Sequence, residues 1–496
     1  MKRLAVFVLL LLSPAWGETG DLAGRIAFLL SESPAARRAT WGVQIADLET
    51  GEILCDLNSE KLFVPASNTK LFSTALGLMR LGPDHRFETR VVAEKAPDAR
   101  GRVAGDLVLV GGGDPNLSAR PIPYRIEDGT GNPLQPIEDL ADQIVARGVR
   151  RIEGDVIGDD TAYVRAPYPE GWAIGDALWE YGAPVSALTL HDNTFALSIR
   201  PGARLGDPAI IVSRPPVPFY RIENRARTRD GGERKLWIDR EPGSRELRVW
   251  GTIPRGDSGE RHLVAIAEPA LYAAQALHSA LARRGVAILG KARARHALAM
   301  DFDDLERGQP RPQPKGVELA KRISPPLLES LRIINKVSQN LHAELMLLEV
   351  GRVRRNIGSR EAGLAEMQAF LSEAGIDREE FDWSDGSGLS RLNLVSPRAI
   401  VRLLRFVYDG PQRENWLGLM PVGGEDGTLR LRFDGAPARG RILAKTGTLS
   451  HVSALSGYVM RPAGGPLAFS ILVNNYGGPA WAIRAAIDKI CDWMVE

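Results

Sequence analysis

Hydrophobic and polar positions alternate with a period of two near both ends of the chain, and a helical period follows each alternating stretch. In "WGVQIADLETGEILCDLN" (41–58), Val43 and Ile45 alternate with polar or small residues, as do Ile53 and Cys55 after the turn Glu49-Thr50-Gly51-Glu52. This predicts two strands joined by a tight turn. Beyond "FVPASNTKLFSTA" (63–75), Leu71, Ala75, Leu78 and Met79 recur at helical spacing until Gly82-Pro83. The spacing predicts a helix that starts near Ser67 and stops at that Gly-Pro pair. At the far end, "RILAKTG" (441–447), "HVSALSGYVM" (451–460) and "LAFSILVNN" (467–475) read as three successive strands. The closing "GPAWAIRAAIDKICDWMVE" puts Ile483, Ile487, Ile490 and Met494 on one stripe of a helix. Such a stripe can lie on a membrane surface, but packing against a sheet is its commoner use. N-terminal and C-terminal strands are therefore expected to share one antiparallel sheet covered by helices.

The middle of the chain has a different texture. From about 88 to 260 it is rich in glycine, valine and proline, with short strand-like pieces such as "GDLVLVGGG" (105–113) and "RIEGDVIGDD" (151–160). A helix–strand unit follows at 269–290, then a Pro-rich connector, "LERGQPRPQPKG" (305–316). The expected organisation is α+β: a catalytic unit formed by 18–87 and 319–496, interrupted by a mainly β insertion, 88–318, of two subdomains. The glycines of "VGGGDPNLS" (110–118) lack the Lys-Ser/Thr of a phosphate loop and the spacing of a dinucleotide fingerprint, so they read as a turn.

Composition narrows the setting. Lys2 and Arg3, nine apolar residues from Leu4 to Leu12, and the small-residue pattern Ala15-Trp16-Gly17 have the layout of a secretory signal peptide cleaved after Gly17. The apolar run falls short of the ~20 residues that cross a bilayer. An exported, soluble protein without an integral membrane anchor is the expectation. The net charge of +2 predicts no nucleic-acid partner, and the basic run "RIENRARTRDGGERK" (221–235) reads as a solvated loop. No histidine pair has metal-ligand spacing, so neither a metal nor another cofactor is expected. Cys55 and Cys491 can pair in an oxidising compartment or remain two buried thiols.

Three short motifs carry the candidate chemistry. Ser67 and Lys70 form S-x-x-K at a helix start, Ser338 and Asn340 form S-x-N at the head of a helical stretch, and Lys445-Thr446-Gly447-Thr448 lies on an inferred strand. A lone S-x-x-K or S-x-N turns up about once by chance in a chain this long, and K-T-G about a tenth as often. Alone, Ser67 is an ordinary cap, Lys445 a solvated lysine and Asn340 a loop residue; their order and placement favour a joint role. A serine hydroxyl needs a base to become a nucleophile. Lys70, one helical turn on, faces the same side. Its pKa of ~10.4 when free must fall for that task, and desolvation or a nearby cation such as Lys445 would lower it. The helix N-terminus favours a developing anion near Ser67. Lys445 offers charge for a substrate carboxylate, Thr446 and Thr448 offer hydroxyls, and Gly447 leaves room for a peptide along the strand. Ser338 can relay a proton to a leaving amine, and Asn340 can hold a peptide group.

The trio resembles the penicillin-recognising serine D,D-peptidases. "DLVLVGGGDPNL" (106–117), "GDVIGDD" (154–160), "YGAPVSALTLHDN" (181–193), "SPPLLESLRIINKVSQNLHAE" (324–344), "DGSGLSRLN" (385–393) and "ILVNN" (471–475) extend the likeness over nearly the whole mature chain. Together with the insertion between the first two motifs, they resemble the class C low-molecular-mass penicillin-binding proteins, the D-alanyl-D-alanine carboxypeptidase/endopeptidase family. The resemblance implies a transpeptidase-like fold, peptidoglycan peptides as substrates, acylation of Ser67, β-lactams as covalent inhibitors, and an oxyanion hole from the N–H groups of Ser67 and Thr448. It also points to Asp159 and Arg391 as grips for the free ends of a diaminopimelate side chain, positions that equally suit structural ion pairs. Here the second motif is Ser-Gln-Asn where the family usually has Ser-Asp-Asn. A β-lactamase of the same fold is the nearest alternative, but 341–444 has no E-x-x-L-N loop to activate deacylating water. A silent wall-binding scaffold is the other, and three intact motifs argue against it. Oligomeric state is not legible in the sequence.

Overall fold

The computed structural model describes residues 21–124, 131–309 and 316–496. Residues 1–17, the expected signal peptide, and residues 310–315 of the Pro-rich connector lie outside the described residues.

Chain ends meet in one five-stranded antiparallel sheet, ordered Ile442–Leu449, Val452–Val459, Leu467–Asn474, Thr40–Asp47, Ile53–Leu57. Its alternation sends side chains into two cores. Val43, Ile45, Leu455, Phe469 and Ile471 pack on one face with Ile26, Ile483, Ile487 and Ile490 from the helices Leu22–Glu32 and Ala480–Val495. The apolar stripe of the closing helix is thus covered by the sheet. On the opposite face Ala454, Tyr458, Ala468 and Leu472 meet Leu71, Phe72, Leu331, Leu341 and Ile400 of four further helices. These are Thr69–Leu81, Leu327–Lys336, Asn340–Arg355 and Pro397–Asp409. Both sides being apolar, the strand Val452–Val459 is buried at every position. Cys55 and Cys491 are buried free thiols in the first core, and burial pushes the Cys55 thiol up to about 11.

The chain leaves this unit along Glu88–Ala93 and returns along Val317–Ile323, and the two strands pair antiparallel. They form one side of a mixed five-stranded sheet with Leu107–Val110, Val156–Val164 and Ala292–Ala297. The helices Gln135–Ala146 and Pro269–Arg283 pack beside it, and three three-stranded sheets complete the insertion among the described residues. The basic run at 221–235 is not the expected loop: Arg221–Arg229 is a strand, paired along its length with Glu246–Pro254. Ala226 and Thr228 point inward while Arg225 and Arg227 face solvent, so the charges are the outer half of a period-two pattern whose inner half, Ile222 apart, is small or polar.

Candidate active site

Ser67 sits in the short turn Ala66–Asn68 that feeds the helix Thr69–Leu81. The turn is tight: Ala66 has φ +47°. A β-carbon on Gly388 would lie 1.8 Å from the Ala66 carbonyl oxygen, so only glycine lets the 385–393 loop come this close. Asn68, fully buried, donates to the Lys445 carbonyl at 2.9 Å and ties the turn to the edge strand Ile442–Leu449. Gly447 has a related reason to be glycine. A β-carbon there would stand 2.7 Å from the Pro65 carbonyl oxygen, so the turn before Ser67 demands it as well as any substrate.

Lys70 is fully buried, and its Nζ lies 2.9 Å from Ser67 Oγ, 2.6 Å from Asn340 Oδ1 and 2.6 Å from the Ser387 carbonyl. A neutral amine has two N–H bonds and one lone pair. With Asn340 and Ser387 accepting the two N–H bonds, the lone pair is left for Ser67. Asn340 is itself oriented by donating from Nδ2 to the Tyr181 carbonyl at 2.7 Å. Burial pulls the Lys70 ammonium down to about 7, against the opposing pull of the Asp385 and Glu344 carboxylates. The expected agent, Lys445, is not the leading cause. Repulsion between the two ammoniums falls on Lys445, which burial already holds well below the usual lysine range.

Ser338 takes a left-handed backbone, φ +64°, that projects its hydroxyl toward Lys445, whose Nζ donates to it at 2.9 Å and to the Thr446 carbonyl at 2.9 Å. Lys445 is thus fully buried rather than a freely exposed charge. Thr446 donates its hydroxyl to Thr428, while Thr448 is exposed on the cleft. Along the edge strand, Ala444 N–H points outward to the Pro421 carbonyl. By strand alternation the N–H of Thr448, four residues on, points out over the same edge. Residues 421–423 cover the edge at Ile442 and Ala444 and the cleft opens beyond them.

A cleft of about 530 Å³ joins these parts, lined by Ser67, Ser338, Asn340 and Thr448 and, at its far side, by Asp176, Tyr181 and Arg391. Arg391 lines the cleft, with its guanidinium on the Ser450 carbonyl at 3.0 Å. Asp159 does not. It is buried in the strand Val156–Val164, accepts from Thr161 N and Oγ1 at 3.0 and 2.6 Å and from Arg295 at 3.2 Å, and does not line the cleft. A carboxylate that does line the cleft is Asp176, on a turn of the insertion. Sequence reasoning missed it, along with Tyr181, Glu344 and the role of Asp385. Glu344 alone carried a usable signal, standing one helical turn after Asn340 on the same face.

A serine beside a buried lysine, a second Ser–Lys pair and an open sheet edge are the arrangement expected of a serine peptidase of the penicillin-recognising class. Residues 22–494 match the D-Ala-D-Ala carboxypeptidase 3 (S13) family, and the chain belongs to it. It is 37% identical over 469 residues to the D-alanyl-D-alanine carboxypeptidase of Actinomadura sp. (strain R39), covering 92% of this chain and 82% of that protein. It is 23% identical over 437 residues to the D-alanyl-D-alanine carboxypeptidase DacB of Haemophilus influenzae, covering 87% of this chain and 84% of that one. The crystal structure of penicillin binding protein 4 from Haemophilus influenzae superposes with a TM-score of 0.80 at 22% identity, covering 95% of this chain and 98% of that chain. The same Haemophilus protein is also known in complex with a β-lactam.

Proposed function

We propose that this serine D,D-peptidase is exported and cleaves D-Ala-D-Ala termini, D-Ala–diaminopimelate cross-links, or both, in peptidoglycan through an acyl-enzyme on Ser67. The observation that carries the proposal is the setting of Lys70: buried, lowered to about 7, and held by two acceptors with Ser67 Oγ at the third position. Neutral Lys70 takes the proton of Ser67 as Oγ bonds to the penultimate D-Ala carbonyl carbon. The N–H groups of Ser67 and Thr448 receive the oxyanion, a contribution of about 3 kcal/mol for each donor. Ser338, hydrogen-bonded to Lys445, gives its proton to the leaving amine as the C–N bond breaks and regains one from the Lys70 ammonium, which leaves Lys70 neutral again. Water then attacks the ester with Lys70 again as base, releasing the shortened peptide and restoring the Ser67 hydroxyl.

Thr448 and the Ser338–Lys445 pair bind the substrate's terminal carboxylate. Arg391 and Asp176, which both line the cleft, suit the carboxylate and ammonium of a diamino-acid side chain. In a β-lactam the broken C–N bond leaves the amine tethered, which accounts for a persistent acyl-enzyme and for inhibition rather than turnover. Export rests on the leader-like residues 1–17; no helix among the described residues is long and apolar enough to cross a membrane. Mass spectrometry of muropeptides incubated with the protein tests the activity. Loss of D-Ala or opening of cross-links by the wild type, and neither by Ser67→Ala, is expected; equal products from both would exclude Ser67.

A further inference from the structure

Beneath Lys70 lies a fully buried carboxylate that the chemistry above does not use. Glu344 belongs to the helix Asn340–Arg355 and stands one turn after Asn340. Its Oε1 accepts from the N–H groups of Gly386 at 3.1 Å and Ser387 at 2.8 Å. The carbonyl of that same Ser387 accepts from Lys70 Nζ. One helix therefore holds Lys70 from two sides, directly through Asn340 and indirectly through Glu344 and the 386–387 backbone. Glu344 Oε2 has no partner among the described groups. A buried acceptor left unpaired is costly, so a site that keeps one invites a role beyond packing.

We propose that Glu344 is a positioning residue for the base: through the Ser387 carbonyl and its own negative charge, it fixes where Lys70 points and how firmly Lys70 holds its proton. The proposal rests on Lys70 being the base for Ser67. The charges that face this pair come from several elements. Asp385, on the 385–393 loop, repels Glu344 and attracts the Lys70 ammonium. Arg360, on the helix Arg360–Glu373, attracts Glu344, and Lys445 on the edge strand repels Lys70. Asp385 is not free to adjust: it accepts from Gly388 N, Ser390 N, Asn393 Nδ2 and the Trp172 indole. Burial raises the Glu344 carboxyl to about 7, so it takes up its proton in the same pH range as Lys70. The two groups thus titrate together. As the pH falls, protonation of Glu344 removes a charge that favours the Lys70 ammonium, which keeps the base in its neutral form to lower pH.

Two variants separate position from charge. Glu344→Gln keeps an acceptor for Gly386 and Ser387 and removes the charge. Glu344→Asp keeps the charge and withdraws the acceptor by one methylene. The readouts are kcat/KM on a D-Ala-D-Ala peptide and the rate of penicillin acylation, each from about pH 5 to 9, with Tm as control. Glu344→Gln is expected to move the acid limb of both profiles to lower pH by about 0.5 to 1 unit. Glu344→Asp is expected to leave the limb near its wild-type place and lower the rate at every pH by about tenfold or more. A Gln profile superimposed on the wild type, or an Asp variant of full rate, overturns the proposal. If Glu344→Gln does not fold, the Asp variant decides alone by the same criterion. Wild-type protein that neither releases D-Ala nor acylates would instead overturn the reading of the site itself.

Discussion

Lys70, the proposed base, shows how burial and a few contacts reset the protonation of an ordinary side chain. Burial lowers it, two carboxylates hold it up, and the balance lies at about 7. Only the unprotonated amine can take the Ser67 proton, so the rate is lost as the pH falls through this value. The acid limb of kcat/KM for a D-Ala-D-Ala peptide should therefore bend at about pH 7 and fall tenfold per unit below it. A profile still flat a full unit below pH 7 would remove Lys70 from that role. The pair Ser67–Lys70 was legible because one helical turn separates them. The charges that balance Lys70 were not, since Asp385 and Glu344 lie hundreds of residues away and reach it only through the fold. The same limit explains Asp159 and Asp176. Both are aspartates on the insertion, and only the tertiary path of 165–190 decides which one borders the cleft.

Elements impose demands that single residues do not reveal. The strand Ile442–Leu449 must be an edge, open beyond Ala444, so that a peptide can lie against it. It must also touch the turn that carries Ser67, and Gly447 is where the two backbones approach most closely. Gly447→Ala should force that turn away, cost about 1–3 kcal/mol, and slow penicillin acylation far more than it lowers Tm. Wild-type acylation by this variant would show that the contact is loose. Strand periodicity foretold all five strands of this sheet. It failed at 221–229, where Ile222 is the only large apolar residue among the inward positions and the outward ones are charged, so little hydrophobic alternation was left to read. The helix Asn340–Arg355 was visible by its apolar spacing, while the left-handed Ser338 before it has no sequence signal, being neither glycine nor asparagine.

At the scale of the molecule, the insertion completes the site rather than hanging from it. Its Tyr181 carbonyl orients Asn340, its Trp172 indole donates to Asp385 at 2.9 Å, and its Asp176 borders the cleft. Its Asp192 accepts from His342 at 2.9 Å on the Asn340 helix, and from Arg120. The contacts to Asn340, Asp385 and His342 join segments 150 to 213 residues apart, which explains why the sequence marked an insertion but not its docking face. Both units therefore converge on Ser67, the proposed nucleophile. The most direct measurement is peptide mapping by mass spectrometry after penicillin treatment, with D-Ala release followed in parallel. One penicilloyl adduct is predicted, on the peptide that carries Ser67 and absent from Ser67→Ala, with D-Ala release falling in proportion to labelling. An adduct on another residue, or D-Ala release undiminished by full labelling, would contradict the account.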